Sequence, residues 1–184
     1  NDLYLIADEI YDRIVFDGEF TSIGRFARDA PLIMLNGFSK VYLMTGWRLG
    51  YIAMNSNSRK LDPLREHMPK LARLRIASNK PAQLAAVQAL RGPQDHVADM
   101  VSKLRKRRDY SMKRLTAMRG ITCAEPNGAF YMFPRIDGVG SRWKGDLDFV
   151  KDLLQETGVL VVHGSGFGQR YGSGHFRMVY LPPL

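Results

Sequence analysis

The stretch Gly37–Gly50, which reads GFSKVYLMTGWRLG, places a lysine, a hydroxyl group and an arginine at fixed positions directly after an apolar segment. Ser39 precedes Lys40, and Arg48 follows eight positions later. Most lysines are solvated surface charges. Here, however, glycines let the backbone approach a ligand closely, and an arginine beside a hydroxyl group suits phosphate oxygens. The pattern predicts a lysine that forms a Schiff base next to a bound phosphate.

Two further patterns carry polar groups at the ends of apolar runs. Residues 3–7 (LYLIA) are long enough for a strand buried on both faces, and Asp8, Glu9 and Tyr11 come directly after them. In open α/β sheets, ligand-binding groups gather beyond the carboxyl ends of strands. Residues 175–181 (HFRMVYL) alternate as a strand does and carry Arg177 among apolar neighbours. The sequence therefore predicts a ligand site built from several strand ends.

Together, and in this order, the three patterns resemble the signature of the class I aminotransferases, which use pyridoxal phosphate (PLP) and have the type I fold of PLP enzymes. The resemblance covers nearly the whole chain and is strongest to the alanine and aspartate aminotransferase branch. Complete members are much longer, so we expect a carboxy-terminal fragment. The resemblance implies an α/β fold, with residues 1–92 as the last part of the large PLP-binding domain and its sheet. Residues 93–184 would form a small, truncated α+β domain.

The resemblance also assigns roles to the residues that match the family. Lys40 would be the catalytic residue, binding PLP as a Schiff base and then moving a proton between substrate and cofactor. A buried Asp8 would pair with the pyridine nitrogen, and Tyr11 would donate a hydrogen bond to the ring oxygen. Ser39 and Arg48 would hold the phosphate.

Substrate recognition rests on fewer residues. By resemblance, Arg177 would hold the substrate α-carboxylate in a bidentate pair. Many relatives carry a second hydroxyl group three residues before the lysine, where this chain has Gly37, so one phosphate hydrogen bond would be lost or supplied by the backbone. Arg75 is a candidate for the second cation that aspartate-specific enzymes need. The expected reaction is transfer of an amino group from alanine, or from aspartate, to 2-oxoglutarate, in amino-acid biosynthesis.

Other interpretations stay open at this point. Lyases and synthases of the same fold share Asp8, Tyr11, Lys40 and Arg48, so the reaction type is not decided by these residues alone. A basic binding module without catalysis is a further alternative, because the formal net charge is +9. The densest basic group lies on one long predicted helix, and we interpret it as a solvated helix face and not a nucleic-acid surface; it comprises Lys103, Arg105, Lys106, Arg107, Arg108, Lys113 and Arg114.

Several features point away from other classes. The four histidines and Cys123 lack metal-ligand spacing, so we expect no metal. The glycine-rich run Gly164–Gly168 lacks a following helical pattern, which argues against a dinucleotide loop. We expect no membrane segment, and the single cysteine fits a reducing compartment, so a cytoplasmic protein is predicted. The resemblance implies a homodimer. It also implies that this fragment alone binds PLP weakly and is inactive.

Hydrophobic periodicity and cap residues predict the remaining elements. We expect strands at residues 31–36 and 49–54, and a helix that begins at Asp62, continues to Ile76 and is bent or broken at Pro69. A further helix should run from Asn79 to Gly92. A long helix should follow over about residues 93–118. Further along, we expect a hairpin of residues 121–124 and 129–133, a helix capped by Asp146 that stops at Gly158, and a strand at 159–162.

Overall fold

A computed structural model describes residues 3–183, so the outer limits of the two predicted domains lie outside the described residues. The chain divides into two compact units, Asn1–Asp99 and Met100–Leu184, and each is described by itself. The domain boundary predicted near Gly92 stays a prediction.

A three-stranded mixed sheet organises the first unit. Its strands are β1 (Leu5–Asp8), β2 (Leu32–Gly37) and β3 (Gly50–Met54), in the order β1-β2-β3. β1 runs parallel to β2, and β3 runs antiparallel to it. All three strands lie where the apolar runs predicted them.

The burial predicted for β1 is wrong. Leu5 and Ile6 are exposed, with 68% of Ile6 accessible, whereas Leu32 of β2 is only 2% exposed. The physical reason is position, because β1 is an edge strand whose other side pairs with no strand among the described residues. An apolar run identifies a strand, but it does not identify which parts of a chain cover that strand.

Two helices follow the sheet. Helix α1 covers Asp62–Arg73 and continues through Pro69, so the predicted break is not present. Helix α2 covers Lys80–Arg91 and begins where predicted, because the side chain of Asn79 accepts a hydrogen bond from the backbone N–H of Ala82 at 3.3 Å. The predicted continuation of α1 to Ile76 is wrong, since Ile76 has a φ of 66° and is 92% exposed.

Helix α3 (Asp95–Thr116) contains the basic group, and most of that group is solvated as expected. Arg108 is the exception, with 4% of the residue exposed. Its guanidinium pairs with Asp109 at 2.7 Å and with Glu125 at 3.1 Å, and it donates to the carbonyl oxygen of Pro126 at 2.9 Å. A buried charge needs such partners, so Arg108 holds the segment around Glu125 and Pro126 against α3 and is not part of a solvated surface.

The second unit contains two small sheets. β4 (Ile121–Thr122) pairs with β6 (Arg135–Ile136), while β5 (Tyr131–Met132) belongs to a separate sheet. The predicted hairpin of residues 121–124 and 129–133 is therefore wrong. Between β5 and β6 lies the fully buried Pro134, which has no N–H for a ladder, and there the chain passes from one sheet to the other.

Helix α4 (Asp146–Thr157) ends at Gly158, whose φ of 72° allows the left-handed cap that the sequence predicts. β7 (Val162–His163) is shorter than the strand predicted at residues 159–162. A short helix, α5 (Gln169–Gly172), then leads to β8 (Phe176–Val179). β8 is the central strand of the sheet β5-β8-β7, so Arg177 lies in the middle of this sheet.

Candidate active site

One edge of the first sheet gathers most of the predicted site residues. β1 and β2 are parallel and end at Asp8 and Gly37, and the antiparallel β3 starts at Gly50, which pairs with Gly37. The ends of the first two strands and the start of the third therefore share one edge. Lys40 follows that edge by three residues and Arg48 precedes it by two. This is the position at which open α/β sheets bind ligands.

Lys40 and Tyr11 lie next to each other at this edge. The Nζ atom of Lys40 lies over the ring of Tyr11, 5.8 Å from the ring centroid, and both residues are half-buried. The turn that carries Tyr11 is fixed by Ile14, which is fully buried and whose N–H donates to the carbonyl oxygen of Tyr11 at 2.9 Å. The structure thus brings together an amine and a phenol that are 29 residues apart in sequence.

The loop that carries Lys40 is anchored on both sides. Phe38 and Met44 are buried and pack with Ala86 of α2. The N–H of Met44 donates to the carbonyl oxygen of Phe38 at 3.1 Å, and the N–H of Phe38 donates to the carbonyl oxygen of Leu49 at 3.2 Å. Because its flanks are held by packing and by main-chain hydrogen bonds, the backbone at Lys40 has a defined position.

Asp8 differs from its expected environment. A buried carboxylate was predicted, but Asp8 is exposed among the described residues, because the edge strand that carries it is uncovered. Its Oδ1 atom accepts a hydrogen bond from the N–H of Ile10 at 3.2 Å. The neighbouring Glu9 has a structural role, since its Oε1 atom accepts from Ser22 Oγ and from the N–H of Ile23, both at 3.0 Å.

Ser39 and Arg48 lie in the same loop. Ser39 is half-buried beside Lys40. Arg48 is exposed and has a φ of 51°, and its Nη1 atom donates to the carbonyl oxygen of Thr45 at 2.8 Å. At Gly37, an added Cβ would lie 3.0 Å from the carbonyl oxygen of Leu49 and 3.1 Å from the Cα of Gly50. A side chain at position 37 would therefore press on the backbone of β3 and require it to shift by a few tenths of an ångström.

A supporting layer of polar side chains was not predicted from the sequence. Asn36 Nδ2 donates to Asp12 Oδ2 at 3.1 Å, while Gln94 Oε1 accepts from Arg13 Nη1 at 2.6 Å and from the Tyr42 hydroxyl at 3.2 Å. Asp12 follows β1 by four residues, and Asn36 lies next to the end of β2. Their position near the ends of these strands could have indicated from the sequence that they lie close to the site.

Some of these residues line a cavity of about 200 Å³ behind the lysine loop, including Asp12, Arg13, Asn36 and Tyr51. Burial, and then the negative charge of Asp12, raise the pKa of the Tyr51 phenol, which keeps it protonated.

Arg177, the predicted carboxylate ligand, lies in the second unit on β8. Its guanidinium carbon is 4.7 Å from the ring centroid of Tyr131 and 4.3 Å from that of Phe167. The adjacent Phe176 points to the opposite face, where it is 4% exposed and packs against Phe149 with ring centroids 5.4 Å apart. The side chain of Arg177 is therefore held on one face of the sheet by aromatic contacts, and it is not simply an exposed charge on a strand.

The glycine-rich run forms a single turn of 3-10 helix, Gly164–Phe167. Asp146 was predicted to cap α4, but the cap residue is Gly145, and the Asp146 Oδ2 atom instead accepts a hydrogen bond from the N–H of Ser165 at 2.6 Å. Burial opposes the charge of Asp146, but the hydrogen bonds from Ser165 outweigh it, so the pKa of this carboxyl is lowered. His163 Nδ1 lies 3.0 Å from Ser165 Oγ, which further orders the turn.

Within residues 3–183, no helix combines the length and the apolarity that crossing a membrane requires. The same part of the chain contains no group of three or more histidine, cysteine or acidic side chains that could hold a metal ion.

A lysine loop at the edge of an α/β sheet, followed by a small α+β unit, is the arrangement expected of an aminotransferase of the PLP-enzyme fold, and comparison with known proteins shows this family. The family described as "Aminotransferase class I and II" matches residues 1–183. Glutamate-pyruvate aminotransferase AlaA of Haemophilus influenzae is 38% identical over 99% of this chain and 46% of its own length. Alanine aminotransferase of Mycobacterium tuberculosis is 36% identical over 98% of this chain and 42% of its own length. The chain belongs to the class I and II aminotransferase family.

Solved structures extend the likeness to the fold. Alanine aminotransferase from Pyrococcus furiosus superposes with a TM-score of 0.93 at 50% identity, covering 100% of this chain and 46% of that one. Aspartate aminotransferase from Rhizobium meliloti gives a TM-score of 0.82 at 34% identity, covering 96% of this chain and 45% of that one. The α/β fold predicted from the sequence is confirmed. The chain spans less than half the length of the curated relatives it matches.

Proposed function

We propose that the full-length protein is a PLP-dependent aminotransferase that exchanges amino groups between an amino acid and a 2-oxo acid. The observation that carries this proposal is the gathering of five chemical groups at one sheet edge: the amine of Lys40, the phenol of Tyr11, the carboxylate of Asp8, the hydroxyl of Ser39 and the guanidinium of Arg48.

These groups fit the functional groups of PLP one by one. A primary amine matches the aldehyde, so Lys40 would hold the cofactor through a Schiff base. A phenol matches the ring oxygen, and a carboxylate matches the protonated pyridine nitrogen. A hydroxyl group and an arginine match the phosphate. When bound, PLP acts as an electron sink for the substrate α-carbon.

The side chains of this chain would then act on the substrate. The Nζ atom of Lys40 would accept the proton from the substrate α-carbon and return a proton later, as a general base and acid. Arg177 binds the α-carboxylate in a bidentate pair, which orients the α-hydrogen. Tyr11 keeps its ring against the lysine amine and so limits where that amine can move.

We propose alanine as the favoured amino donor, with 2-oxoglutarate as the acceptor. Support comes from two relatives that carry the names glutamate-pyruvate aminotransferase and alanine aminotransferase, and from the P. furiosus alanine aminotransferase at 50% identity. Aspartate stays a candidate, because Arg75 lies on the polar surface that also includes Arg48 and Arg73, and structures of aspartate aminotransferases also superpose on the chain.

The test uses the full-length protein with alanine and 2-oxoglutarate, and it measures pyruvate and glutamate. Lys40→Ala should abolish turnover. Borohydride reduction of the wild-type protein should leave the cofactor on the peptide that contains Lys40. Lys151→Ala is the matched control, because Lys151 is an exposed lysine on α4 whose loss should change neither result.

Three outcomes would contradict the proposal. Ammonia release without a 2-oxo acid acceptor would indicate a lyase of the same fold. Salt-sensitive binding of nucleic acid without cofactor uptake would indicate the basic binding module. Cofactor fixed to a lysine other than Lys40 would remove the site assignment.

We also propose that the full-length protein is a cytoplasmic homodimer. Light scattering on the purified protein would give twice the subunit mass if this is correct, and fractionation of its source cells would place it with the cytoplasmic proteins.

A further inference from the structure

Arg177 presents a guanidinium without a protein acceptor. The residue is half-buried, and its side chain makes no hydrogen bond and no ion pair with any residue between 3 and 183. A guanidinium carries five N–H donors and no acceptor. Leaving such donors without partners at a half-buried position is costly unless a ligand or water satisfies them. The position therefore suits an anionic ligand.

Two aromatic rings contact this guanidinium. Its central carbon lies over the ring of Tyr131 at 4.7 Å and over the ring of Phe167 at 4.3 Å. Both distances are within the range of attractive cation–π contact, which extends to about 6 Å. These contacts draw on the charge of the guanidinium and use none of its N–H donors as conventional hydrogen bonds, and those donors are the groups that bind a planar carboxylate.

The pairing of β5 with β8 places Tyr131 beside Arg177. Tyr131 of β5 is directly opposite Val179 of β8, so its side chain lies on the same face as Val179. Arg177 is two residues before Val179 and therefore shares that face. The Tyr180 hydroxyl donates to the carbonyl oxygen of Ala129 at 3.2 Å, which fixes the approach to β5.

The Phe167 half depends on the 3-10 turn. Phe167 is the last residue of that turn, and the buried carboxylate of Asp146 holds the N–H of Ser165 within it. Phe133 packs edge-on against Phe167 with ring centroids 5.9 Å apart, and His175 stacks on Phe133 at 5.0 Å. Phe167 is 50% exposed, yet its position is supported from two sides.

We propose that Tyr131 and Phe167 are positioning residues that hold the Arg177 guanidinium so that its N–H edge receives one carboxylate group of the substrate. This inference rests on the proposed function, because it takes Arg177 as the carboxylate ligand. It adds two residues, contributed by β5 and by the 3-10 turn, through which the affinity for every carboxylate substrate is set.

The test measures equilibrium binding of propionate, the analogue of alanine that lacks the amino group and cannot react. Calorimetry on the cofactor-loaded full-length protein gives the dissociation constant. Arg177→Leu should abolish measurable binding. Phe167→Leu and Tyr131→Leu should each weaken binding by about 2- to 30-fold, the range that corresponds to a cation–π contact. Phe167→Tyr and Tyr131→Phe keep the rings and should bind nearly as the wild type does.

A double-mutant comparison separates positioning from packing. The kinetics with ethylamine, which has no carboxylate, should be unchanged by Phe167→Leu, whereas KM for alanine should rise. Adding Phe167→Leu to Arg177→Leu should cause no further rise in KM for alanine, because the ring acts through the guanidinium. Tyr110→Leu is the control, since Tyr110 makes a cation–π contact with Arg114 on α3 at 5.8 Å, away from Arg177 in sequence.

The results distinguish the two proposals. If Arg177→Leu weakens propionate binding but the two leucine variants do not, the positioning role is overturned and the aminotransferase proposal stands. If Arg177→Leu has no effect on propionate, the carboxylate assignment fails and the positioning role fails with it. If Phe167→Tyr loses as much affinity as Phe167→Leu, the ring contact is not what matters, and the inference is overturned.

Discussion

Gly37 lies three residues before Lys40, at the end of β2, where it pairs with Gly50 of β3. A Cβ there would lie 3.0 Å from the carbonyl oxygen of Leu49 and 3.1 Å from the Cα of Gly50, both backbone atoms. We therefore expect Gly37→Ser to lower the free energy of unfolding by about 1–3 kcal/mol, as overpacking does, and not to improve phosphate binding. Urea denaturation measures the change. Gly46→Ser is the control, because no atom lies within 4 Å of an added Cβ there; equal losses at both positions would contradict the steric explanation.

The contribution of Asp146 to the free energy of unfolding can be measured from its dependence on pH. Its pKa is lowered in the folded protein, because the hydrogen bonds from Ser165 outweigh the effect of burial. The stabilisation is therefore fully present above the unfolded pKa of about 3.9 and is lost as the pH falls through the folded value. Asp146→Asn should cost about 1.5–3 kcal/mol at pH 7, the value of a hydrogen bond to a charged group.

Urea denaturation at a series of pH values checks this expectation. The difference between wild type and Asp146→Asn should shrink steadily below pH 4. Asp148→Asn is the control, because Asp148 lies in the same helical turn and its side chain makes no hydrogen bond or ion pair with any residue between 3 and 183. A pH-independent difference for Asp146→Asn would mean that the carboxylate charge is not involved.

Single residues also illustrate what sequence can and cannot reveal about a site. Lys40, Tyr11 and Asp8 could be assigned to one sheet edge, because each follows a recognisable strand and parallel strands end together. The exposure of Asp8 could not be predicted, since burial depends on neighbours outside the strand. The contact of Tyr131 with Arg177 could not be predicted either, because it depends on the pairing of β5 with β8 across more than 40 residues. The contact of Phe167 with Arg177 depends on the 3-10 turn that Asp146 holds, which the sequence did not indicate.

At the scale of elements, local signals predicted helices well and strand partners poorly. The Asn79 cap and the Gly158 left-handed cap mark helix ends because each acts within a few residues. The hairpin prediction for residues 121–133 failed because adjacent strands in sequence were assumed to be partners. Instead β4 pairs with β6 and β5 with β8, and the register of such distant pairs is set by packing of whole sheet faces.

Helix α1 gives a prediction at this scale, because Pro69 lies in its interior. Proline there removes the N–H that would donate to the carbonyl oxygen of Arg65 and crowds that carbonyl. Replacing the proline by alanine should stabilise the helix by up to about 3 kcal/mol. Because proline also restricts the unfolded chain, which offsets roughly 1 kcal/mol of this gain, Pro69→Ala should raise the free energy of unfolding by up to about 2 kcal/mol. Thermal and urea denaturation measure it. Pro63→Ala is the matched control in the first turn of the same helix, where proline is tolerated; a gain at Pro63 equal to that at Pro69 would contradict the reasoning.

At the scale of the whole molecule, the solvent-accessible surface area is larger than is usual for compact domains of the same mass. The chain exposes 12922 Å², whereas two separate compact domains of this combined mass would expose roughly 11,000 Å². Much of the excess is apolar: the exposed large side chains include Leu3, Ile6, Leu71, Leu74, Ile76, Leu84 and Leu160. Exposed apolar side chains in this number are typical of surface that contacts other protein.

The net charge of +9 opposes contact between copies of such a surface, and this gives the last prediction. The 184-residue chain by itself should bind an apolar dye and should associate more strongly as salt rises from 0.05 to about 1 M, because the Debye length falls to about 3 Å and the repulsion is screened. Sedimentation velocity at several concentrations measures the association. The full-length protein is the control and should neither bind the dye nor change its state with salt. Ile6→Lys and Ile76→Lys, which add charge at two exposed apolar positions, should reduce association of the short chain. A short chain that stays monomeric at high salt, or one that dissociates as salt is added, would show that these apolar side chains do not drive its contacts.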